Sequence, residues 1–316
     1  MKPGVLERPR PLLLAGPTAV GKSAVALLAA ERLGGEIISV DSMQVYRGLD
    51  LGTAKPTPAE RARVPHHLID VVELTQPFDA AQFAESARRI TQEIQARGRV
   101  PILCGGTGLY FKAYLKGLDQ VPPSDPILRT RLEATPLAEL LHELESQDPP
   151  TFASIDRQNR RRVVRAVEML RLTGQPLAQP RATEAQPDFL RECVFVAFQR
   201  RPADLRARID RRVEAMFRAG LVEETRRLLD QGLAENRTAM QALGYRQVVE
   251  HLRGERSLAD TLERVKSRTR KFAKRQMTWF RGQAAPAWIE LAEHEETETT
   301  CARLWERLEE PPVARV

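Results

Sequence analysis

Cysteine is scarce in this chain, and the few that occur form no motif. The 316 residues include three cysteines, Cys104, Cys193 and Cys301, and no two of them stand at CxxC spacing. An odd, widely spaced set argues against a disulfide framework and against a zinc site built from paired cysteines. The cysteine usage is that of a protein from a reducing compartment.

Long apolar runs are also missing. No stretch approaches the roughly 20 consecutive apolar residues of a membrane-spanning helix. The start of the chain, MKPGVLERPR, lacks the apolar centre of a signal peptide. We therefore expect a soluble, cytoplasmic protein that has no membrane partner.

Acidic residues are in the minority. Asp and Glu number 42 against 49 Lys and Arg, which gives a net charge of +7 and a pI near 9.6. A moderate basic excess favours a polyanion such as nucleic acid as the partner, provided that the basic residues cluster.

The strongest motif is a phosphate-binding loop near the start of the chain. An apolar run, Leu12–Ala15, meets Gly16, and Gly21, Lys22 and Ser23 follow before a helical pattern. Glycines let backbone N–H groups turn towards an anion, and lysine and the helix N-terminus add positive charge. The order of strand, loop and helix is the setting that this motif requires. We predict a phosphate or pyrophosphate site, with the Ser23 hydroxyl available to Mg²⁺.

The apolar runs predict an α/β fold with a parallel sheet. Runs at 36–40 and 100–104 follow the first strand with helical segments between them, and a possible short strand lies around 68–72. An amphipathic helix over 80–96, closed by Gly98, precedes the 100–104 strand. Runs at 192–198 and 286–291 predict two further strands, the last at an edge.

Two proline-rich passages divide the chain. They lie at 121–126 and 173–187 and bracket a charged, helical stretch. Proline cannot continue a helix, so we interpret the bracketed stretch as an insertion. The predicted organisation is a phosphate-loop core in 1–120, a helical insertion in 121–189 and the second part of the core in 190–316.

Two polar residues follow predicted strands at the edge where the loop lies. Asp41 comes directly after the 36–40 run, where a carboxylate can accept a proton from a nucleophile or hold Mg²⁺ through water. An aspartate that only caps its own turn is the alternative. Thr107 stands among three glycines after the 100–104 run, which permits close approach to a ligand; a simple tight turn is the alternative.

Basic residues cluster in three places. The segment 264–281 holds eight Lys or Arg and no acid, and a charge run without compensating acids is better explained by phosphate contacts than by a solvated face. Arginines also crowd the insertion at 160–165. Arg208 and Arg212 share one helix face and can clamp a pyrophosphate, with surface arginines as the alternative.

Taken together, these stretches resemble the tRNA dimethylallyltransferase, or tRNA isopentenyltransferase, family. The matching segments run in family order from Gly16 to Arg281: GPTAVGKS, DSMQVYRGLDLGTAKP, PHHLIDV, AAQFA, GGTGLYFKAYLKGL, RRVVRAVEML, ALGYRQ and KFAKRQMTWFR. The resemblance implies a P-loop kinase-like core with a helical insertion that grips the anticodon stem-loop. It implies transfer of a dimethylallyl group from dimethylallyl diphosphate to N6 of the adenine on the 3′ side of the anticodon. We expect Mg²⁺ as the cofactor and a monomeric protein.

The resemblance also implies roles for particular residues. Asp41, Thr107 and Lys22 would be catalytic, and Ser23 would face the metal. The diphosphate-binding set would be Gly16, Pro17, Thr18, Ala19, Val20, Gly21, Lys22, Ser23, Arg208 and Arg212, although the motif does not fix which of Arg208, Arg211 and Arg212 faces inward. The tRNA-binding set would be Asp41, Ser42, Met43, Gln44, Thr107, Arg129, Arg161, Arg162, Val163, Val164, Arg165, Gln241, Ala242, Leu243, Gly244, Tyr245 and Arg246.

Two other functions remain open from the residues alone. A small-molecule or nucleoside kinase would place ATP in the loop and use Asp41 as the base for a hydroxyl, but it leaves the basic 264–281 segment without a role. An RNA-binding NTPase would show RNA-stimulated ATP hydrolysis, of which we expect little.

Overall fold

The computed structural model describes residues 9–118, 122, 124–177, 193–283 and 286–309. Within these ranges the chain forms two compact units. The first takes its residues from Met1–Gly117 and Asp188–Val316, and the second from Leu118–Pro187.

The first unit contains a sheet whose described strands are all parallel. Their order across the sheet is β3-β2-β4-β1-β5-β6, and β1 pairs in register with β4 on one side and β5 on the other. The edge position of the last strand confirms the prediction for 286–291. The strands are β1 (Leu12–Ala15), β2 (Glu36–Val40), β3 (His66–His67), β4 (Pro101–Gly105), β5 (Val194–Arg200) and β6 (Ala287–Leu291).

Helices connect and flank these strands. A 3-10 turn also occurs at Ala239–Gln241. The described helices are α1 (Lys22–Leu33), α2 (Pro58–Arg63), α3 (Ala80–Ala96), α4 (Gly108–Lys116), α5 (Pro126–Ala134), α6 (Leu137–Gln147), α7 (Pro149–Ser154), α8 (Arg160–Thr173), α9 (Pro202–Arg218), α10 (Leu221–Leu229), α11 (Tyr245–Leu252), α12 (Leu258–Gln283) and α13 (Thr297–Glu309).

Local signals explain where α3 begins and ends. The Asp79 carboxylate accepts from the backbone N–H groups of Ala81 and Gln82, and the Gln82 side chain accepts from the Asp79 N–H in return. This reciprocal capping satisfies N–H groups that the first helical turn leaves unpaired. The helix ends just before Gly98, whose φ of 70° suits glycine. The predicted amphipathic helix is confirmed.

The strand predicted around 68–72 is wrong. This segment pairs with β2 only at His66 and His67, and Val72 makes a single bridge to Tyr46. Leu68 and Asp70 have φ values of 59° and 55°. A left-handed backbone cannot continue an extended strand, so the apolar run turns away from the sheet although its composition suits a strand.

The second unit is helical and has its own core. Helices α5 to α8 surround buried leucines and valines at helical spacing. Helix α7 begins at Pro149, and Asp148 caps it by accepting from the Thr151 N–H at 3.2 Å. The core residues include Leu132, Leu140, Leu144, Val163, Val164, Val167 and Leu170.

The strand order brings three loops to one edge of the first unit. Strands β2, β4 and β1 are neighbours and parallel, so their carboxyl ends lie side by side. The chain leaves β1 through the phosphate loop, β2 through Asp41 and β4 through Thr107. Ligands of open parallel sheets gather at this edge.

Candidate active site

The phosphate loop connects β1 to α1 in the first unit. Ala19 and Gly21 have φ values of 63° and 112°, and α1 begins at Lys22. The Lys22 ammonium donates to the carbonyl oxygen of Pro17 at 3.2 Å, so the lysine folds back over the loop. A helix N-terminus, left-handed loop residues and a cation form an anion-binding site.

Burial is the main influence on the Lys22 charge. It lowers the pKa of Lys22 from its ordinary value of 10.5, and the nearby Arg212 guanidinium lowers that pKa further, whereas Cys104 and Asp41 oppose the shift. Burial also raises the pKa of the Cys104 thiol to about 11. The thiol is therefore neutral at physiological pH.

The arginine cavity lies beside the loop and has a volume of about 300 Å³. Arg208, Arg211 and Arg212 all line it. Arg208 and Arg212 are partly buried, whereas Arg211 is exposed. Arg212 also lines the larger cleft described below, and burial lowers the pKa of its guanidinium. The other residues of the cavity wall are Ala19, Gly21, Lys22, Ser23 and Ala24.

Two arginines hold the loop by its carbonyl oxygens. Arg208 Nε donates to Ala19 at 2.9 Å, and Arg200 Nε donates to Val20 at 2.8 Å. Arg200 is itself paired with Asp204 at 2.9 Å and is buried. Sequence reasoning missed Arg200, although its place at the carboxyl end of the strand beside β1 is a signal that could have identified it.

Asp41 is both a turn residue and a cleft residue. Its Oδ1 accepts from the backbone N–H groups of Met43 at 2.8 Å and Gln44 at 3.4 Å. Within the described chain, its Oδ2 makes no hydrogen bond. Thr107 Oγ1 accepts from the backbone N–H of Ser42 at 3.2 Å, which joins the two predicted catalytic loops. Asp41 thus caps its own turn, as the alternative interpretation expects, but only Oδ1 is used for this and Oδ2 stays available to a ligand.

Hydrogen bonds fix the wall of the site that follows Asp41. The Gln44 side chain accepts from Ser39 Oγ at 2.8 Å and donates to the carbonyl of Thr53 at 3.2 Å. The Tyr245 hydroxyl donates to Glu224 Oε1 at 2.6 Å and accepts from the Gly52 N–H at 3.1 Å. Burial raises the pKa of both Glu224 and Tyr245. The tyrosine hydroxyl therefore keeps its proton and remains the donor.

These loops enclose a central cleft of about 340 Å³ in the first unit. It brings together the phosphate loop, the Asp41 turn, the Thr107 turn and the segment after the 3-10 turn. Helix α12 supplies one wall, which the sequence-based list of site residues did not include. The predicted site residues that line the cleft are Thr18, Lys22, Ser23, Asp41, Ser42, Met43, Gln44, Thr107, Arg212, Gln241, Ala242 and Leu243. The α12 residues are Val265, Thr269, Phe272, Arg275 and Gln276.

Other predicted site residues of the first unit stand outside the cleft wall. Gly16, Pro17 and Val20 form the buried back of the loop. Gly244 precedes α11, and Tyr245 is fully buried and occupied by the bond to Glu224. Arg246 is exposed and pairs with Glu250 at 3.4 Å.

In the second unit, two predicted tRNA-binding arginines converge on one buried carboxylate. Arg129 and Arg165 each donate to Glu168 Oε2 at 2.8 Å, and the Glu168 side chain has no exposed surface. Burial alone raises the pKa of Glu168, but the hydrogen bonds from Ser124 and Arg165 and the charge of Arg129 outweigh it and hold that pKa below 4.5. The two arginines are therefore fixed in place.

The remaining predicted residues of this unit separate into core and surface. The side chains of Val163 and Val164 lie in the hydrophobic core. Arg161 and Arg162 line a surface cavity of about 500 Å³ together with Arg165. The structure thus brings the arginines of α8, and not its valines, to the surface of this unit.

Replacing Glu168 by Gln is expected to lower the free energy of unfolding by about 2 kcal/mol at pH 7, because two partly buried arginines lose the charged acceptor of their hydrogen bonds. The folded-state pKa is depressed, so this stabilisation is present above the ordinary pKa of 4.5 and is lost as the pH falls through the folded value. Thermal unfolding of the whole chain at pH 7 and pH 4 measures the effect. Glu143→Gln, which breaks the more exposed pair with Arg171, is the matched control. Equal losses at both pH values would contradict this account.

Acidic residues neutralise part of the positive charge of helix α12. This corrects the prediction that the charge run of 264–281 has no compensating acids. Lys266 pairs with Glu214 of α9 and with Glu263 at 2.8 Å each, and Arg270 pairs with Asp210. Glu214 and Asp210 belong to the neighbouring helix α9, and Glu263 lies one residue before the 264–281 segment, so that segment alone does not contain them. Within the described residues, the exposed cations that make no ion pair include Lys271, Lys274 and Arg275.

A parallel sheet, a phosphate loop and a cleft at the carboxyl edge define a P-loop protein of the kinase-like α/β class. No helix in the described residues has the length and apolar character to cross a membrane. The IPP transferase family model matches residues 44–283.

Individual proteins agree with that match. The chain is 45% identical over 294 residues to tRNA dimethylallyltransferase 1 of Trichlorobacter lovleyi, covering 92% of this chain and 96% of that protein. The crystal structure of the tRNA isopentenylpyrophosphate transferase of Bacillus halodurans superposes with a TM-score of 0.69 at 36% identity, covering 95% and 97% of the two chains. A eukaryotic dimethylallyltransferase, described as acting on tRNA, gives a TM-score of 0.78 at 25% identity and covers 94% of this chain and 77% of that one.

The chain therefore belongs to the IPP transferase family. This confirms the resemblance found in the sequence and the P-loop kinase-like fold class. It also favours the prenyltransferase interpretation over the small-molecule kinase.

Proposed function

We propose that the protein transfers a dimethylallyl group from dimethylallyl diphosphate to N6 of the adenine on the 3′ side of the anticodon in tRNA, and releases diphosphate. One observation carries the proposal: a single cleft is lined by the phosphate loop with Lys22 and Arg212 and by Asp41 and Thr107. Relatives named tRNA dimethylallyltransferase support it. We further propose that it acts as a monomer, and that it works in the cytoplasm, since its three cysteines are scattered and none stands at CxxC spacing, as is usual in a reducing compartment.

The cations would act on the leaving group. An exocyclic adenine amine is a weak nucleophile, so the allylic carbon must become electrophilic as the diphosphate departs. Negative charge then builds on the diphosphate, where Lys22, Arg208, Arg212 and the loop N–H groups can stabilise it.

Mg²⁺ fits the donors available at this site. No described group of three or more His, Cys, Asp or Glu side chains could hold a metal alone. Magnesium commonly takes one or two protein oxygens and completes its shell with phosphate oxygens and water. The Ser23 hydroxyl, at the start of α1 and in the cleft wall, would be that protein ligand. The ion would supply further neutralisation of the diphosphate charge.

Asp41 and Thr107 would act on the nucleophile. With Oδ1 engaged by the turn, Asp41 Oδ2 would accept a hydrogen bond from the adenine N6 amine and then its proton as the C–N bond forms. Thr107 is joined to the same turn through the Ser42 N–H, so the two side chains keep a fixed relation.

Phe272 and Arg275 would receive the nucleobase. Both line the cleft, and the Arg275 guanidinium carbon lies 5.7 Å from the centroid of the Phe272 ring. Unstacked RNA bases are recognised by stacking on aromatic rings and guanidinium planes. A base drawn out of an RNA loop would meet this stacking surface at the wall of the cleft, and loop bases cost the least to extract.

The deciding experiment incubates the purified protein with Mg²⁺, labelled dimethylallyl diphosphate and an unmodified anticodon stem-loop. We expect label on the RNA, and none when inosine, which lacks the N6 amine, replaces the target adenine. Phosphoryl transfer from ATP without prenyl transfer would favour a kinase instead. Strong RNA-stimulated ATP hydrolysis without prenyl transfer would favour an NTPase.

The exposed cations of α12 are expected to contact RNA phosphates. Neutralising two of them in Lys271→Ala/Lys274→Ala should make the dependence of log affinity on log salt shallower by about 1.5 units, at 0.7 to 0.9 per phosphate contact. Stem-loop affinity measured at several salt concentrations gives this slope. The charge-matched control is Arg10→Ala/Arg32→Ala, at the opposite edge of the sheet. An equal change in both variants would remove α12 from the interface.

A further inference from the structure

One buried amide in α12 spans two of the loops that build the cleft. Gln276 is 8% exposed, its Oε1 accepts from the Thr18 N–H at 2.9 Å, and its Nε2 donates to the Gly106 carbonyl at 2.9 Å. Thr18 belongs to the phosphate loop, and Gly106 immediately precedes Thr107. One side chain therefore links the two loops by a hydrogen bond to each of them.

The packing of α12 makes this bridge possible. A Cβ atom at Gly106 would lie 2.3 Å from Gln276 Nε2, and one at Gly108 would lie 2.3 Å from the Trp279 ring. A side chain at Gly108 would meet the rigid Trp279 ring, and one at Gly106 would displace the Gln276 amide, so glycine at position 106 leaves room for the bridge. Phe280 of the same helix contacts Phe111 of α4 edge to face, with the ring centroids 5.8 Å apart. The amide is held by packing on both sides.

The bridge continues to the proposed base. Gln276 holds Gly106, the next residue Thr107 accepts from the Ser42 N–H at 3.2 Å, and Ser42 follows Asp41. At the other end, Thr18 leads into the loop that carries Lys22. Gln276 thus lies midway between the side chains that would handle the leaving diphosphate and those that would handle the nucleophile.

We propose that Gln276 is a positioning residue for group transfer, one that sets the spacing between the phosphate loop and the Thr107–Asp41 side of the cleft. This inference rests on the proposed function. The reaction needs the allylic carbon and the attacking nitrogen about 3 to 3.5 Å apart, and a misplacement of about 1 Å can cost 100-fold in rate. An amide suits the task because it offers one acceptor and one donor without a charge.

The test replaces Gln276 by Met, which keeps the length and bulk of the side chain and removes both hydrogen bonds. We expect kcat for prenyl transfer to fall by about 10- to 100-fold while KM for the stem-loop stays unchanged. We also expect weaker binding of inorganic pyrophosphate, because Thr18 loses its anchor. Thr91→Val, which removes a buried hydrogen bond to Tyr114 elsewhere in the same unit, is the control for lost stability and should leave both quantities unchanged.

A second variant, Gln276→Glu, tests the mechanism of the bridge. Glutamate keeps the acceptor for Thr18, but it can donate to Gly106 only when protonated, and burial raises the pKa of a carboxyl. We therefore expect its activity to recover towards that of the native protein as the pH is lowered, whereas Gln276→Met shows no such recovery. Normal kcat and pyrophosphate affinity in Gln276→Met would overturn the proposal, as would a loss of rate matched by an equal loss of stem-loop affinity. Absence of prenyl transfer by the native protein would instead refute the proposed function, and pyrophosphate binding would still test the bridge.

Discussion

Asp41→Asn is expected to lower kcat for prenyl transfer by about 1,000-fold, within the range of general base catalysis, and to leave the affinity for the stem-loop nearly unchanged. Asparagine keeps an oxygen that can accept from the N–H groups of Met43 and Gln44, so the turn after β2 survives. What disappears is the anionic oxygen in the cleft. The substitution thus separates the two functions that one side chain combines.

Single-turnover rates with saturating donor, together with stem-loop binding, measure the effect. Asp79→Asn is the matched control, because Asp79 also caps backbone N–H groups in the first unit but lies outside the cleft wall. It should leave the rate unchanged. If Asp41→Asn lost binding and rate in equal proportion, Asp41 would be a structural turn residue.

The parts of the site that could be predicted are those whose signals are local. The loop from Gly16 to Ser23 carries its glycines, lysine and hydroxyl in one short segment between a strand and a helix. Asp41 and Thr107 could be placed because they follow apolar runs, and parallel strands bring their carboxyl ends to one edge. For these residues, chain order and strand direction are sufficient to predict their place at the edge of the sheet where the cleft lies.

The parts that could not be predicted depend on contacts between distant segments. Gln276 is 258 positions from Thr18, and Arg200 is 180 positions from Val20. Each looks ordinary in its own stretch: a glutamine among basic residues and an arginine at the end of a strand. Their roles follow from how α12 and β5 pack against the loop, and a single sequence carries no record of that packing.

The charge of α12 also could not be predicted from its own segment, because acids from a distant segment neutralise part of it. The 264–281 segment holds no acid, yet Glu214 and Asp210 of α9 neutralise Lys266 and Arg270. A count along the sequence therefore overestimates the free positive charge of α12. The charge available to a polyanion includes that of the exposed residues Lys271, Lys274 and Arg275.

Lys22→Met is expected to lower kcat/KM for the prenyl donor by about 1,000-fold. The substitution removes a preorganised positive charge that would stabilise the leaving diphosphate. Methionine retains most of the side-chain volume, so the loop loses little packing. Arg32→Met, at the exposed end of α1, removes one charge without touching the cleft and should leave kcat/KM unchanged.

The pH dependence gives Lys22 a second, independent test. Because burial lowers the pKa of Lys22, its charge is lost at a pH below the ordinary lysine value of 10.5. Native activity should therefore fall on the alkaline side as the pH rises through that lowered pKa, and the residual activity of Lys22→Met should lack this decline. Lys22→Arg should restore little, because a guanidinium is wider than an ammonium and the space beside the loop already holds Arg208, Arg211 and Arg212. A fully active Lys22→Met would mean that the arginines alone hold the departing diphosphate.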